Sequence, residues 1–350
     1  MLAIIIIINI VGVEFYGRAE SSITIIMMLI YVIMGICGAA GMGPNEVIES
    51  QRGLVPASGW EGVFGAVGTG IWFFIGFEFA CPMAEENKKP YKYIPWGLIL
   101  GLISIYIVDI IFIKGVVAYG DLEVIGASDL PQITAATYTL GRFGEVTMSV
   151  ITFCAGFTTC NAYIASLPRM LYGLAKQGLV PNVFQKIHPQ YRVPIPGIIF
   201  TAAIILACLV YLIMEGGSAE QVTTFINCAC ICWLVMYIIA MLDVLVLRKR
   251  YPEFPRLWKA PIAWISMPIG IIGSLYAIYT MTYVLLAACG LMAAVALYEI
   301  IWNKTHGLPV NHVPTLQEMT KQIMDRSEPL PVWDEAVEEW IKETEPELYA

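Results

Sequence analysis

Charge is scarce in this chain: only 14% of its 350 residues are charged, whereas 58% are hydrophobic. A soluble domain does not need that composition, so we exclude an ordinary soluble protein. Histidine is scarcer still, because the chain has three, which lie in predicted loops or in the carboxyl-terminal tail without a ligand pattern. The shortage of charge points to the lipid bilayer as the solvent of this protein.

Signatures of enzymes and metal sites are missing as well. The chain has neither the zinc-binding pattern His-Glu-x-x-His nor the nucleophile pattern Gly-x-Ser-x-Gly. Its nine cysteines lie inside apolar stretches, and Cys228, Cys230 and Cys232 would point in different directions from one helix. We interpret them as small packing residues, and we expect no catalytic residues, no metal and no cofactor.

Long apolar runs fill the first 303 residues, each near the roughly 20 residues that span a bilayer. We predict eight full transmembrane helices, at residues 22–42, 62–84, 94–117, 145–167, 194–214, 222–247, 262–281 and 282–303. The apolar run Met1–Val13 is too short to cross and lacks the basic start and cleavage site of a signal peptide. We expect it to be the end of a helix that begins before Met1.

Basic residues alternate between the predicted loops. Loops on one side of the membrane hold 13 lysines and arginines, whereas loops on the other side hold two. Basic loops stay in the cytoplasm, which predicts a multi-pass protein of the cytoplasmic membrane with a cytoplasmic carboxyl terminus.

The segment 304–350 is an acidic tail, with ten acids and four bases that account for most of the net charge of −8. A capping box at Thr315 and Glu318 and an apolar stripe from Trp333 to Ile341 predict two short amphipathic helices. Acidic helices are repelled by anionic lipid, so we expect them to dock on the protein itself. Nothing in the charge pattern indicates a nucleic-acid partner.

Gly76 interrupts the second predicted span, and the carboxylate of Glu78 follows two residues later. Unpaired backbone and buried charge are costly in lipid, so they usually mark a substrate or ion path. Glu78 has two open interpretations of equal weight: a group that titrates in proton coupling, or a structural carboxylate that binds backbone amides at the break. Asp109, inside the third span, is a weaker second candidate for a polar path.

Two further groups of residues have structural interpretations. Gly97 and Gly101 form a Gly-x-x-x-Gly pattern, which predicts a close helix contact. A cluster of opposite charges is expected at the cytoplasmic mouth after the second span, where it forms solvated ion pairs. That cluster comprises Glu85, Glu86, Lys88 and Lys89.

Three motifs in order resemble amino-acid permeases of the amino acid–polyamine–organocation superfamily, over about residues 1–303. They are Asn9-Ile10-Val11-Gly12-Val13; Gly76-Phe77-Glu78 with Ala84–Pro90 and Ile94-Pro95; and Pro168–Tyr172 with Ala175–Pro181, Phe184 and His188. The resemblance implies an all-α membrane protein with the five-plus-five inverted-repeat fold, whose second repeat spans residues 62–247. It also implies twelve helices, of which this chain lacks the first three and begins near the end of the fourth.

The resemblance also implies a substrate site at the broken helix. The carbonyls of Trp72 and Ile75 would meet the substrate ammonium, with Gly76 and Phe77 beside them. The Trp72 ring would cover the site, the alternative being an aromatic that faces lipid or core. Tyr163 would add an aromatic group from the eighth helix of the family. Thr158 and Thr159 lie where some relatives bind sodium, but we favour proton coupling or exchange.

The leading functional hypothesis is a secondary transporter of amino acids or related amines. The family's first helix supplies half of the pocket, so we expect this polypeptide not to transport by itself and to need a second polypeptide that carries the missing helices. The alternative is a non-transporting truncated product or a regulatory membrane subunit. An intramembrane enzyme is the third reading.

Overall fold

The fold is known from a computed structural model, which describes residues 1–11, 13–48, 59–86, 90–252 and 258–308. These parts of the chain are helical and contain no strand. The α-helices are α1 (Leu2–Val11), α2 (Val13–Ala39), α3 (Gly59–Gly65), α4 (Val67–Gly70), α5 (Pro90–Val116), α6 (Leu122–Gly126), α7 (Pro131–Lys176), α8 (Ile195–Met214), α9 (Ala219–Arg250), α10 (Ala263–Thr280) and α11 (Leu285–His306). Short 3₁₀ helices cover Ile71–Phe74, Phe77–Glu86, Val117–Tyr119, Asn182–Gln185 and Thr282–Val284.

Eight helical stretches of the described chain are long and apolar enough to cross a membrane, one for each predicted span. Large apolar side chains cover their outer surfaces, and Leu286, for example, is 87% exposed. Such surfaces are stable only in contact with lipid or other protein. The prediction of an all-α, multi-pass membrane protein is therefore confirmed.

The predicted spans 94–117 and 145–167 leave residues 118–144 as a loop, and this is wrong, because α7 already begins at Pro131. Gly141 bends it, with φ 59° and ψ −144°, a conformation open to glycine but strained for other residues. The first part of α7 is short and rich in threonine, so it lacks the apolar run that marks a membrane span. Packing makes it helical, because Ala135, Ala136 and Thr139 are buried.

The contacts divide the chain into two compact units. The first comprises residues 1–82 and 100–226, with α7 at its centre. One apolar core joins α2, α5 and α7 through Met34, Phe112 and Met148. A second joins α1, α7 and α8 through Ile5, Ile164 and Ile198. Helix α7 thus contacts α1 and α2 as well as α8.

Glycines bring α2 and α5 into backbone contact in the first unit. A Cβ atom at Gly35 would lie 2.5 Å from the carbonyl oxygen of Ile111, and one at Gly38 or Gly115 would overlap the backbone of the facing helix. By contrast, no described atom lies within 4 Å of a Cβ built at Gly97 or Gly101. Within the described residues, the close helix contact predicted for that pair is therefore not formed, since spacing alone does not say which face of a helix has a neighbour.

The second unit comprises residues 83–99 and 227–350, and its described part is built on α9, α10 and α11. Ile231 and Leu234 of α9 are fully buried, as are Ala277 of α10 and Ala288 of α11. The buried Asn227 donates a hydrogen bond to the hydroxyl oxygen of Tyr283. The two amphipathic helices predicted for the tail lie outside the described residues, and the predicted inverted repeat stays a prediction.

Candidate functional site

The second membrane span is broken at the predicted place. The 3₁₀ turn that follows α4 ends at Phe74, Ile75 is extended with φ −89° and ψ 146°, and Gly76 has φ +103°. Helical structure resumes at Phe77. A Cβ at Gly76 would approach nothing closer than 3.8 Å, so the position requires glycine for its backbone conformation and not for space.

Two local hydrogen bonds hold the ends of the break. The amide of Ile75 donates to the carbonyl oxygen of Trp72 at 3.2 Å. The amide of Phe79 donates to the carbonyl oxygen of Gly76 at the same distance. A carbonyl oxygen has two lone pairs, so the Trp72 carbonyl can accept a second hydrogen bond. This leaves it chemically able to meet an ammonium group.

Glu78 binds the break directly, since its Oε2 atom accepts the amide hydrogen of Gly76 at 3.2 Å. A carboxylate in this position satisfies an amide that the interruption removes from the helical ladder. The structural role considered for Glu78 is therefore present in the geometry. Proton coupling is compatible with it and stays a prediction.

The predicted aromatic residues lie at different distances from the break along the chain. Trp72 is half-buried and Phe77 is 36% exposed, and both flank the interruption. Tyr163 of α7 is brought to the same segment, where its ring packs edge-on against Phe79 with the ring centroids 4.8 Å apart. The structure thus joins Tyr163 to the residues that follow Gly76.

Two residues of this contact could not be predicted from the sequence. Phe79 supplies the ring that meets Tyr163, and Ser166 of α7 donates its hydroxyl hydrogen to the Phe79 carbonyl at 3.0 Å. A serine inside an apolar helix is the only sequence signal for this bond, and such hydroxyls commonly bond their own helix instead.

Asp109 belongs to a different place, on α5, three residues before Phe112. The Phe112 ring meets Tyr31 of α2 with centroids 4.8 Å apart, and the Asp109 carboxylate lies within electrostatic range of Tyr31. The structure therefore places Asp109 by the α2–α5 interface. Its assignment to a polar path stays a prediction.

The predicted charge cluster at the cytoplasmic mouth is described only in part. The 3₁₀ helix Phe77–Glu86 includes the backbone of Glu85 and Glu86, while Lys88 and Lys89 lie outside the described residues. Among the described residues, no group of three His, Cys, Asp or Glu side chains could hold a metal ion.

A chain of polar side chains crosses three helices in the first unit. Asn9 of α1 donates to the Oδ1 atom of Asn161 in α7 at 2.6 Å, and the Nδ2 atom of Asn161 donates to Oε2 of Glu20 in α2 at 2.8 Å. Asn9 also donates to the carbonyl of Ile5. The sequence shows three polar residues near or inside apolar runs, but their separations of 152 and 141 residues hide the pairing.

The amino acid permease family model matches residues 1–297. Because that match covers most of the chain, the protein belongs to the amino acid permease family, within the amino acid–polyamine–organocation superfamily. The resemblance described from the three motifs is therefore confirmed. The family is one of permeases.

Several curated relatives are similar over most of this chain. The branched-chain amino acid permease BcaP of Bacillus subtilis is 25% identical over 78% of this chain and 56% of its own length. The D-serine/D-alanine/glycine transporter of Escherichia coli K12 is 23% identical over 76% of this chain and 60% of its own. The glutamate/serine transporter AimA of Bacillus subtilis is 24% identical over 80% of this chain and 52% of its own length. This chain thus spans about half the length of the curated relatives that it matches.

Proposed function

We propose that this chain takes part in the secondary transport of amino acids or related amines, and that the broken segment around Gly76 forms one half of the substrate site. The observation that carries the proposal is the interruption itself, with φ +103° at Gly76 inside a membrane-length helix of a permease-family protein. Irregular backbone at membrane depth is tolerated where it is covered by protein or lines a cavity.

The chemistry of the break suits an α-ammonium group. The carbonyls of Trp72 and Ile75 lie at the end of a helical turn, where the backbone dipole is negative. Those oxygens would bind the ammonium, and the half-buried Trp72 ring would cover it as an aromatic gate. Phe77 and Tyr163 would complete the apolar wall from two sides of the segment.

Three relatives support an amino-acid substrate but do not indicate which side chain the substrate carries. Their names specify branched-chain amino acids, the small amino acids D-serine, D-alanine and glycine, and the pair glutamate and serine. These compounds share the α-amino and α-carboxylate groups and differ in the side chain. We therefore propose recognition of the ammonium by this chain and make no choice among side chains.

Transport would be coupled to protons or proceed by exchange, with Glu78 as the titrating candidate and Asp109 as the second. The carboxylate that binds the Gly76 amide would change the stability of the break when it gains a proton. The excess of basic residues on one side, 13 against two, supports a protein of the cytoplasmic membrane with its carboxyl terminus in the cytoplasm.

The test is uptake of a mixture of labelled amino acids by reconstituted vesicles. It compares the chain alone with the chain co-expressed with the part of BcaP that lies outside the match. We expect uptake only in the second case, because nearly half of the length of BcaP lies outside the match. Uptake by neither preparation would favour a regulatory or non-transporting membrane protein.

A glycine pair gives the matched control for the role of the break. Gly76→Ala places a side chain at φ +103°, whereas Gly70→Ala, in the same segment, adds a methyl group at a helical φ of −64° with open space around it. We expect at least about fivefold less uptake for Gly76→Ala, since one strained residue changes the local free energy by about 1 kcal/mol or more. Equal uptake by the two variants would refute the site.

A further inference from the structure

Asn161, the middle member of the chain of polar side chains formed with Asn9 and Glu20, lies on α7, the helix that also contacts the candidate site. Asn161 is 2% exposed and Asn9 6%, so both amides are removed from solvent and from lipid. Asn161 uses its oxygen toward α1 and its nitrogen toward α2. One buried side chain therefore ties α7 to two other helices at once.

The opposite face of α7 touches the broken segment. At about 100° per residue, Tyr163 and Ser166 point about 160° and 140° away from Asn161 around the helix. Tyr163 packs on the Phe79 ring, and Ser166 donates to the Phe79 carbonyl at 3.0 Å. A helix is stiff over one turn, so rotation of the Asn161 face turns the Tyr163 face by the same angle.

Apolar packing selects helix rotation weakly in a membrane, because lipid chains are as apolar as the side chains that would face them. Hydrogen bonds between buried polar groups depend on angle as well as on distance, so they discriminate between rotations. The apolar core around Asn161, formed by Ile5, Ile164 and Ile198, holds the helices together without specifying the angle in this way.

We propose that Asn161 and Glu20 are positioning residues, which set the rotation of α7 through their hydrogen bond and thereby hold Tyr163 and Ser166 against Phe79. This inference rests on the proposed function only where it predicts a change in substrate affinity. The positioning itself is a property of the fold and is measured separately.

The first measurement is cross-linking between Phe79→Cys and Tyr163→Cys by a short bifunctional thiol reagent, in a chain whose nine native cysteines are replaced. We expect Asn161→Leu to lower the cross-linking rate about tenfold or more, because it removes two hydrogen bonds of ordinary strength, the buried one to Asn9 and the part-buried one to Glu20. Ser149→Ala is the matched control, because that exposed serine of α7 bonds the Glu145 carbonyl of its own helix. Its rate should equal that of the parent.

Two substitutions at Glu20 keep the test decisive if Asn161→Leu does not fold. Glu20→Gln retains an acceptor oxygen for Asn161, while Glu20→Leu has a similar size and none. We expect the parent rate for the glutamine variant and a loss of about tenfold for the leucine variant. Parent-like cross-linking in either folded leucine variant, or an equal loss in Glu20→Gln, would overturn the proposal.

The second measurement is uptake by the transport-competent preparation. Asn161→Leu should raise the KM about tenfold and leave the maximal rate per folded protein unchanged, since the site is displaced and not removed. A loss of maximal rate at unchanged KM would contradict positioning. If the parent protein shows no uptake, the proposed function fails, and the cross-linking results still decide whether Asn161 sets the rotation of α7.

Discussion

The glycine of the break and the glycines of the α2–α5 crossing serve opposite needs. Gly76 has open space for a side chain but a backbone conformation that strains one, with φ +103°. Gly35, Gly38 and Gly115 have no positive φ, and a Cβ on any of them would strike the facing backbone. The same residue type is thus required for conformation in one region and for close approach in the other.

The broken span and the packed helices also differ in how many of their residues are buried. In the described span 67–84, Gly68 is the one buried residue, whereas α7 has twelve buried residues along its length. A region with few buried contacts contributes little to stability, so its residues can be selected for binding. The packed helices contribute most of the stability of the fold. The comparison predicts that stability and function respond to different substitutions.

The largest loss of stability is expected at the crossing. Gly115→Ala should lower the free energy of unfolding by about 3 kcal/mol, because the new methyl group overlaps the Gly35 carbonyl and the helices must separate. Gly101→Ala on the same helix α5 is the control, and it should stabilise by about 0.5–1 kcal/mol through helix propensity. Thermal unfolding in detergent measures both, and equal melting temperatures would show that the crossing is not specific.

A smaller loss of stability is expected at the break. Gly76→Ala should lower the free energy of unfolding by about 1–2 kcal/mol, the strain of an unfavourable φ in a segment with room to adjust. Its stability should exceed that of Gly115→Ala while its uptake is lower. The reverse order in either assay would remove the distinction between the two glycine roles.

Removing the carboxylate that caps the break should lower the free energy of unfolding by as much as Gly76→Ala does, or by less. Glu78→Leu leaves the Gly76 amide without this acceptor and should cost about 1–2 kcal/mol in unfolding experiments. Glu78→Gln retains an acceptor oxygen and should melt near the parent temperature. If Glu78 also couples protons, uptake by Glu78→Gln loses its dependence on pH, whereas an unchanged pH profile leaves only the structural role.

The smallest effect tests a single hydrogen bond at the crossing. The Tyr119 hydroxyl donates to the Gly38 carbonyl at 2.8 Å, so Tyr119→Phe should cost about 1 kcal/mol. Tyr106→Phe, an exposed tyrosine of α5, removes a hydroxyl from a surface position and should change little. A comparable change in both variants would mean that the buried bond adds nothing to the crossing.

The spans and the break could be predicted because their causes are local. About twenty apolar residues favour a membrane helix whatever surrounds them, and Gly76 followed by Glu78 marks an interruption within one segment. The first part of α7 escaped prediction because Ala135, Ala136 and Thr139 become helical through burial against other helices. Likewise, spacing at Gly97 and Gly101 predicted a contact that is not present in the described chain.

By itself, the sequence determined an all-α membrane protein of the amino acid permease type, eight membrane-length helices and a break at Gly76 with a carboxylate beside it. These follow from hydrophobic runs and motifs, which act over a few residues. Only the tertiary structure decided which glycines touch a neighbouring backbone, that Tyr163 meets Phe79, and that Asn161 joins Asn9 to Glu20. Those contacts join residues far apart in the chain, because in lipid it is the fit of small surfaces and buried hydrogen bonds, more than hydrophobicity, that selects how helices meet.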